Sequence, residues 1–176
     1  MTIENGHKVW RNKQGQLHRL DGPAVERADG TKEWYQKGQL HRLDGPAVEY
    51  ANGTKYWYQK DQWHRLDGPA YEGADGTKEW YQKGQSHRLD GPAYEGADGT
   101  KAWYQKGKSH RLDGPAVERA DSTKEWWFNG RRASAILFTH QNDATEKQCV
   151  ETYAKAYEMM CENLRNEVCS WVEELK

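Results

Sequence analysis

The chain has 176 residues, 26 basic against 27 acidic side chains, and a mean hydropathy of −1.19. So balanced a charge argues against generic binding to nucleic acid or anionic membranes, and no apolar run approaches the ~20 residues that span a bilayer. Only 35% of residues are hydrophobic, with nine Trp and ten Tyr among them, which excludes a core built mainly on Leu and Ile.

Met1-Thr2-Ile3-Glu4-Asn5 has no basic and apolar leader pattern, so a cytoplasmic protein is expected. Residues 5–17 read as a half repeat that caps the open end of a repeat array. From residue 18 a 23-residue phrase headed by His18-Arg19-Leu20-Asp21-Gly22-Pro23-Ala24 occurs five times, over 18–40, 41–63, 64–86, 87–109 and 110–132. Self-similarity at such a period predicts stacked supersecondary units with no central pocket. The fold class expected is mainly β: an elongated, solenoid-like array of antiparallel β-hairpin repeats spanning 1–132, followed by a C-terminal α-helix.

Within a repeat, Asp29-Gly30 between two short runs predicts a two-residue hairpin turn. Counting outward puts Val25 opposite Trp34 and Glu26 opposite Glu33. The Val25/Trp34 face and its equivalents are then the core, with neighbouring units leaning together through their indoles. Gly38 to Pro46 reads as one rigid reversal. In the fifth repeat Asp121-Ser122 lacks the permissive glycine, so that turn is expected to be strained or of another type, with the array less regular there.

Residues 133–142, with Ile136-Leu137-Phe138, read as a connector and closing cap. From 143 to 176 an amphipathic helix is predicted, started by Asp143 with Glu146 three residues on. Its seam is Val150, Tyr153, Tyr157, Met160, Leu164, Val168 and Trp171. It packs on the repeats, pairs with a second copy, or meets a partner. Cys149, Cys161 and Cys169 read as reduced thiols.

Chemistry is sparse. Histidines one repeat apart stand roughly 10 Å from each other, too far to share a zinc ion, so each imidazole is expected to donate to a corner carbonyl. Arg19, Arg42, Arg65, Arg88 and Arg111 either pair with the Asp of their own corner or a neighbouring Glu, or form a guanidinium ladder for carboxylates or phosphates. The facing glutamates lack the asymmetry of a catalytic site, and no nucleophile elbow, phosphate loop or HExxH pattern occurs. No catalytic residue, metal or cofactor is assigned.

Trp34-Tyr35-Gln36-Lys37-Gly38-Gln39-Leu40-His41, then Gly45 and Ala51-Asn52-Gly53 before Trp57, resembles the MORN repeat. It is similar above all to the bacterial and phage variant with a His-Arg-x-Asp-Gly-Pro-Ala corner, as in YwqK-type antitoxin-like proteins. The resemblance covers roughly Gly6 to Arg132 and implies an elongated, gently twisted hairpin array that serves as a scaffold or binding surface. The Arg-Leu-Asp corner departs from the eukaryotic pattern and speaks against lipid binding.

The function expected is a non-catalytic protein-binding module, an inhibitor of a larger bacterial protein acting by occlusion, as an antitoxin or an anti-CRISPR-like phage counter-defence factor does. The alternatives are a scaffold that dimerises through the C-terminal helix, and a nucleic-acid or anion binder using the Arg row. Contact candidates are Trp63, Tyr50, the five corner arginines, and Tyr153, Tyr157, Met160 and Trp171 of the tail. Trp63 stands where other repeats have Leu40, Ser86 or Ser109, and is either a stack-filling ring or an exposed anchor. Positions that vary between units, such as Arg27, Tyr50, Gly73, Gly96 and Arg119, are favoured over the invariant scaffold.

Overall fold

The computed structural model describes residues 1–132. The connector, the tail helix and the candidates Tyr153, Tyr157, Met160 and Trp171 lie outside the described residues. Residues 1–132 form an open twelve-stranded antiparallel sheet accompanied by five separate two-stranded hairpins. The expected mainly β array of repeated hairpins is therefore present.

The sheet begins with β1 (Thr2–Glu4) and β2 (His7–Val9), joined by Asn5-Gly6 with φ of 51° and 78°. Positive φ at both positions makes the two-residue turn whose twist matches its strands. The capping unit thus starts earlier than residue 5, with Thr2–Glu4 as the sheet's edge strand.

The next pair, β3 (Val25–Glu26) and β4 (Lys32–Glu33), departs from the expected register: Val25 faces Glu33 and Glu26 faces Lys32. The loop has three residues, Ala28 to Gly30. Gly30 N–H donates to Arg27 O, Arg27 N–H donates to Thr31 O, and only Gly30 has positive φ, at 91°. This is a type I turn closed by a glycine bulge, and the extra residue shifts every pairing by one. Asp29 contributes through its side chain, accepting from Thr31 N–H at 2.9 Å. In the fifth repeat the same turn forms with Ser122 at φ 68°, so there the backbone strain is present while the turn type and the regularity persist.

The corrected register removes the facing glutamates. One row across the sheet reads Lys8, Glu26, Lys32, Glu49, Lys55, Glu72, Lys78, Glu95, Lys101, Glu118, Lys124, opposite charges side by side at every step. Cross-strand pairs of opposite sign stabilise a sheet where like pairs would destabilise it.

Each repeat holds a second hairpin that the sequence pattern does not announce. β5 (Tyr35–Gln36) and β6 (Gln39–Leu40) are joined by Lys37-Gly38, with φ of 53° and 81°. The two-residue turn is therefore Lys-Gly, and the supposed single reversal from Gly38 is half hairpin, half corner. Where Asp61 replaces the glycine, it adopts φ 61°, and its carboxylate accepts from Leu40 N–H at 2.8 Å. Asp tolerates the left-handed region better than most residues, and here its carboxylate is also fixed by the preceding repeat.

These tight hairpins stack through backbone bonds. Gly38 N–H donates to Leu17 O at 2.9 Å, and Lys37 N–H donates to His18 Nδ1 at 3.1 Å. The same imidazole bond recurs from Lys60 to His41, Lys83 to His64, Lys106 to His87 and Asn129 to His110. The corner histidines are thus acceptors from the next repeat, not donors to a carbonyl. The turn's positive φ aims an amide at the ring that no strand partner claims. At His110 burial opposes protonation, which keeps the acceptor form.

The repeat indoles meet arginines, where the sequence pattern led us to expect indole against indole. The Arg42 guanidinium lies 4.1 Å above the Trp34 ring, and Arg19, Arg65, Arg88 and Arg111 cover Trp10, Trp57, Trp80 and Trp103 at 3.9–4.2 Å. Arg42 also donates to Asp44, to Pro46 O and to Glu49 of the charged row. The indoles therefore lie on the charged side of the sheet, away from Val25. The alanines Ala24, Ala47, Ala70, Ala93 and Ala116 are fully buried at 0% exposure. Each is held by backbone bonds, as when Ala47 N–H donates to Tyr56 O and Ala47 O accepts from Trp34 N–H.

Candidate functional site: a cleft on the variable side of the sheet

The side opposite the charged row carries Val25, Glu33, Val48, Tyr56, Tyr71, Glu79, Tyr94, Ala102, Val117 and Glu125, in register across the strands. Here the repeats differ, and the differences compensate one another. Repeat one sets Arg27 on Glu33, whose second oxygen accepts from the Tyr35 hydroxyl at 3.0 Å. Repeat two replaces that ion pair with Tyr50 edge-on to Tyr56, ring centres 5.7 Å apart.

Repeats three and four replace Arg27 by Gly73 and Gly96, and Val25 by Tyr71 and Tyr94. A Cβ on Gly73 would stand 2.8 Å from the Tyr71 hydroxyl, and one on Gly96 2.9 Å from that of Tyr94. The carboxylates of Asp75 and Asp98 lie nearer still, so the glycines make room for both phenol and carboxylate. In repeat five the ion pair returns, with Arg119 on Glu125 and Trp127 Nε1 donating to the second oxygen at 2.9 Å. Arg119, Trp127 and Arg132 hold the Glu125 carboxyl below the usual range despite its burial.

The tight hairpins contribute the second wall. Trp63 faces Tyr58 in its own hairpin and covers Tyr81 of the next repeat, ring centres 4.6 Å apart and edge-on. It also stacks at 10° on Tyr71 and contacts Tyr56, so the half-buried ring fills the stack. Ser86 and Ser109 hold the equivalent positions and cannot cover Tyr104 and Trp127 as Trp63 covers Tyr81. The result is an open cleft of about 670 Å³, with Glu79, Tyr81 and Tyr94 towards one end and Arg119, Glu125 and Trp127 towards the other. That volume suits a side chain or small ligand. Burial, reinforced by the charge of Glu79, pushes the Tyr81 phenol up to about 12, so it stays protonated and donates to Glu79 Oε2 at 3.0 Å.

The corner arginines are engaged within the chain: Nε of each bonds the Asp two residues on, and each guanidinium covers an indole. Those bonds hold the carboxyls of Asp21, Asp44, Asp67, Asp90 and Asp113 below their usual range. Tyr50 is exposed at the rim of the aromatic cluster. Among the described residues no His, Cys, Asp or Glu group is arranged to hold a metal, and no helix is long and apolar enough to cross a membrane.

One row is absent from the sequence-based candidates. Leu20, Leu43, Leu66 and Leu89 are 74–76% exposed, and Leu112 44%. The signal lies in the corner itself: its Arg, Asp, Pro and Ala all serve the fold, and the invariant Leu has no buried position to fill.

Compared with known proteins, the chain matches no family model and no curated protein.

Proposed function

We propose that the protein is a non-catalytic protein-binding module that inhibits a larger bacterial protein by occluding its surface. The observation that carries this reading is the exposed leucine row. Large apolar side chains repeated at one exposed position cost solubility and stabilise nothing in the sheet, and exposed apolar surface of this kind marks sites of protein contact. A rigid repeat array presents such residues at fixed intervals of roughly 10 Å, two strand spacings. The corner arginines, each with Nε and Nη1 bonded inside the chain and the guanidinium over an indole, do not favour a nucleic-acid reading.

The test compares capture by the wild-type chain and by a Leu43→Ser/Leu66→Ser/Leu89→Ser variant, with light scattering on both. The module reading expects a stoichiometric bacterial protein on the wild type that is lost from the still-folded variant. Turnover of a substrate by the isolated chain, or capture unaffected by the three serines, would overturn it. A dimer that the serines dissolve would replace it with self-assembly.

A further inference from the structure

The repeats contain an internal template. In repeats one and five the glutamate of the variable side takes a guanidinium on Oε1 and an aromatic donor on Oε2: Arg27 and Tyr35 for Glu33, Arg119 and Trp127 for Glu125. Glu79 in repeat three has the same aromatic donor, Tyr81, on Oε2. Its Oε1 accepts no hydrogen bond and joins no ion pair among the described residues, because the arginine position is Gly73. Glu79 is half-buried and opens onto the 670 Å³ cleft, and Tyr94 is its cross-strand neighbour.

The ligand chemistry follows from what the same carboxylate holds elsewhere in the chain. We infer that the cleft over repeats three to five takes the arginine side chain of a protein partner, its guanidinium on Glu79 and its stem against Tyr81, Tyr94 and Tyr104. A guanidinium matches a carboxylate edge and stacks on phenol faces, which an ammonium does less well. Small side chains line the space, Ser86 in place of Trp63 and Ala102 in place of Glu79, while Gly73 in place of Arg27 leaves Glu79 without an arginine partner among the described residues. The Arg119–Glu125 pair closes the far end with its charge already balanced, and both oxygens of the lining Asp98 accept from Thr100, which leaves Glu79 as the carboxylate with an oxygen open to a cation. This deepens the protein-binding reading, on which it rests for the source of the side chain.

The test is a titration of the ¹⁵N-labelled full chain with a Gly-Arg-Gly peptide, read by amide chemical shifts, with Gly-Lys-Gly and Gly-Leu-Gly alongside. Saturable shifts are expected for the amides of Gly73, Glu79, Ala102 and Gly107, with the lysine peptide clearly weaker. Glu79→Gln should weaken binding about tenfold, the scale of a lost charged hydrogen bond. A Tyr71→Val/Gly73→Arg variant rebuilds the Val25/Arg27 arrangement of repeat one and should abolish peptide binding while the dispersion of distant amides is kept. No saturable shift, equal binding of the lysine peptide, or unchanged binding in either variant would overturn the inference. Failure here with leucine-dependent capture intact sinks only the cleft; lost capture with peptide binding intact sinks only the leucine-row reading.

Discussion

On one side of the sheet Trp34, Arg42, Lys32 and Glu49 recur in repeat after repeat; on the other, Arg27/Glu33 gives way to Tyr50/Tyr56, Gly73/Glu79, Gly96/Ala102 and again Arg119/Glu125. The invariant side solves the folding problem once and copies it: an indole under a guanidinium, that guanidinium tied to an Asp and a Glu, and the Glu flanked by lysines. The variable side is free to change because each change is compensated locally, phenol for arginine and glycine for bulk. A short phrase can thus be duplicated as a scaffold while its opposite surface acquires a cleft.

The largest expected effect comes from acid. Five corner aspartates held low by their arginines, and Asp29, Asp75, Asp98 and Asp121 held low by bonds from the threonine two residues on, all titrate lower in the folded chain than unfolded. Their stabilisation is complete above the unfolded value near 3.9 and is lost as pH falls through the lower folded values. Each exposed pair contributes little. Circular dichroism should nonetheless show cooperative loss of the array below about pH 4. A shallower decline starts below about 6.5, where unfolded His110 binds a proton that the folded form resists.

Trp57→Ala should destabilise the array by about 3 kcal/mol in urea unfolding, since it removes both packing and the ring under Arg65. Ala70→Leu comes next. A fully buried alanine with backbone bonds on both sides leaves no room for a larger side chain, so about 2 kcal/mol should be lost. A smaller effect has the opposite sign. Ser122→Gly should raise stability by about 1 kcal/mol by relieving a positive φ of 68°. Substitutions on the variable side sharpen the contrast: Ser86→Leu should fill the cleft without a measurable shift of the unfolding midpoint.

Much of this was legible. The 23-residue period, the hairpin at Asp-Gly and the variable positions Arg27, Tyr50, Gly73, Gly96 and Arg119 all follow from the letters. The register did not, because Asp-Gly fits both a two-residue turn and a three-residue loop ending in glycine, and the two differ by a side-chain flip. Asn5-Gly6 and Lys37-Gly38, which make the tighter turns, sit beside runs too short to show alternation. That slip alone moved the tryptophans to the wrong side and set glutamates face to face. The cleft escaped for a different reason. It arises from side chains that are small, Ser86, Ala102 and Ser109, whose meaning appears only once the rings around them are placed.

The central claim is that arginine capping the indole, and not indole against indole, holds successive repeats together. A double-mutant cycle on Trp57 and Arg65 tests it most directly, with Trp57→Leu, Arg65→Gln and the pair compared by urea unfolding. A coupling of about 1 kcal/mol or more is predicted, the scale of a partly desolvated cation over an aromatic face. Strict additivity of the two single effects would contradict the account.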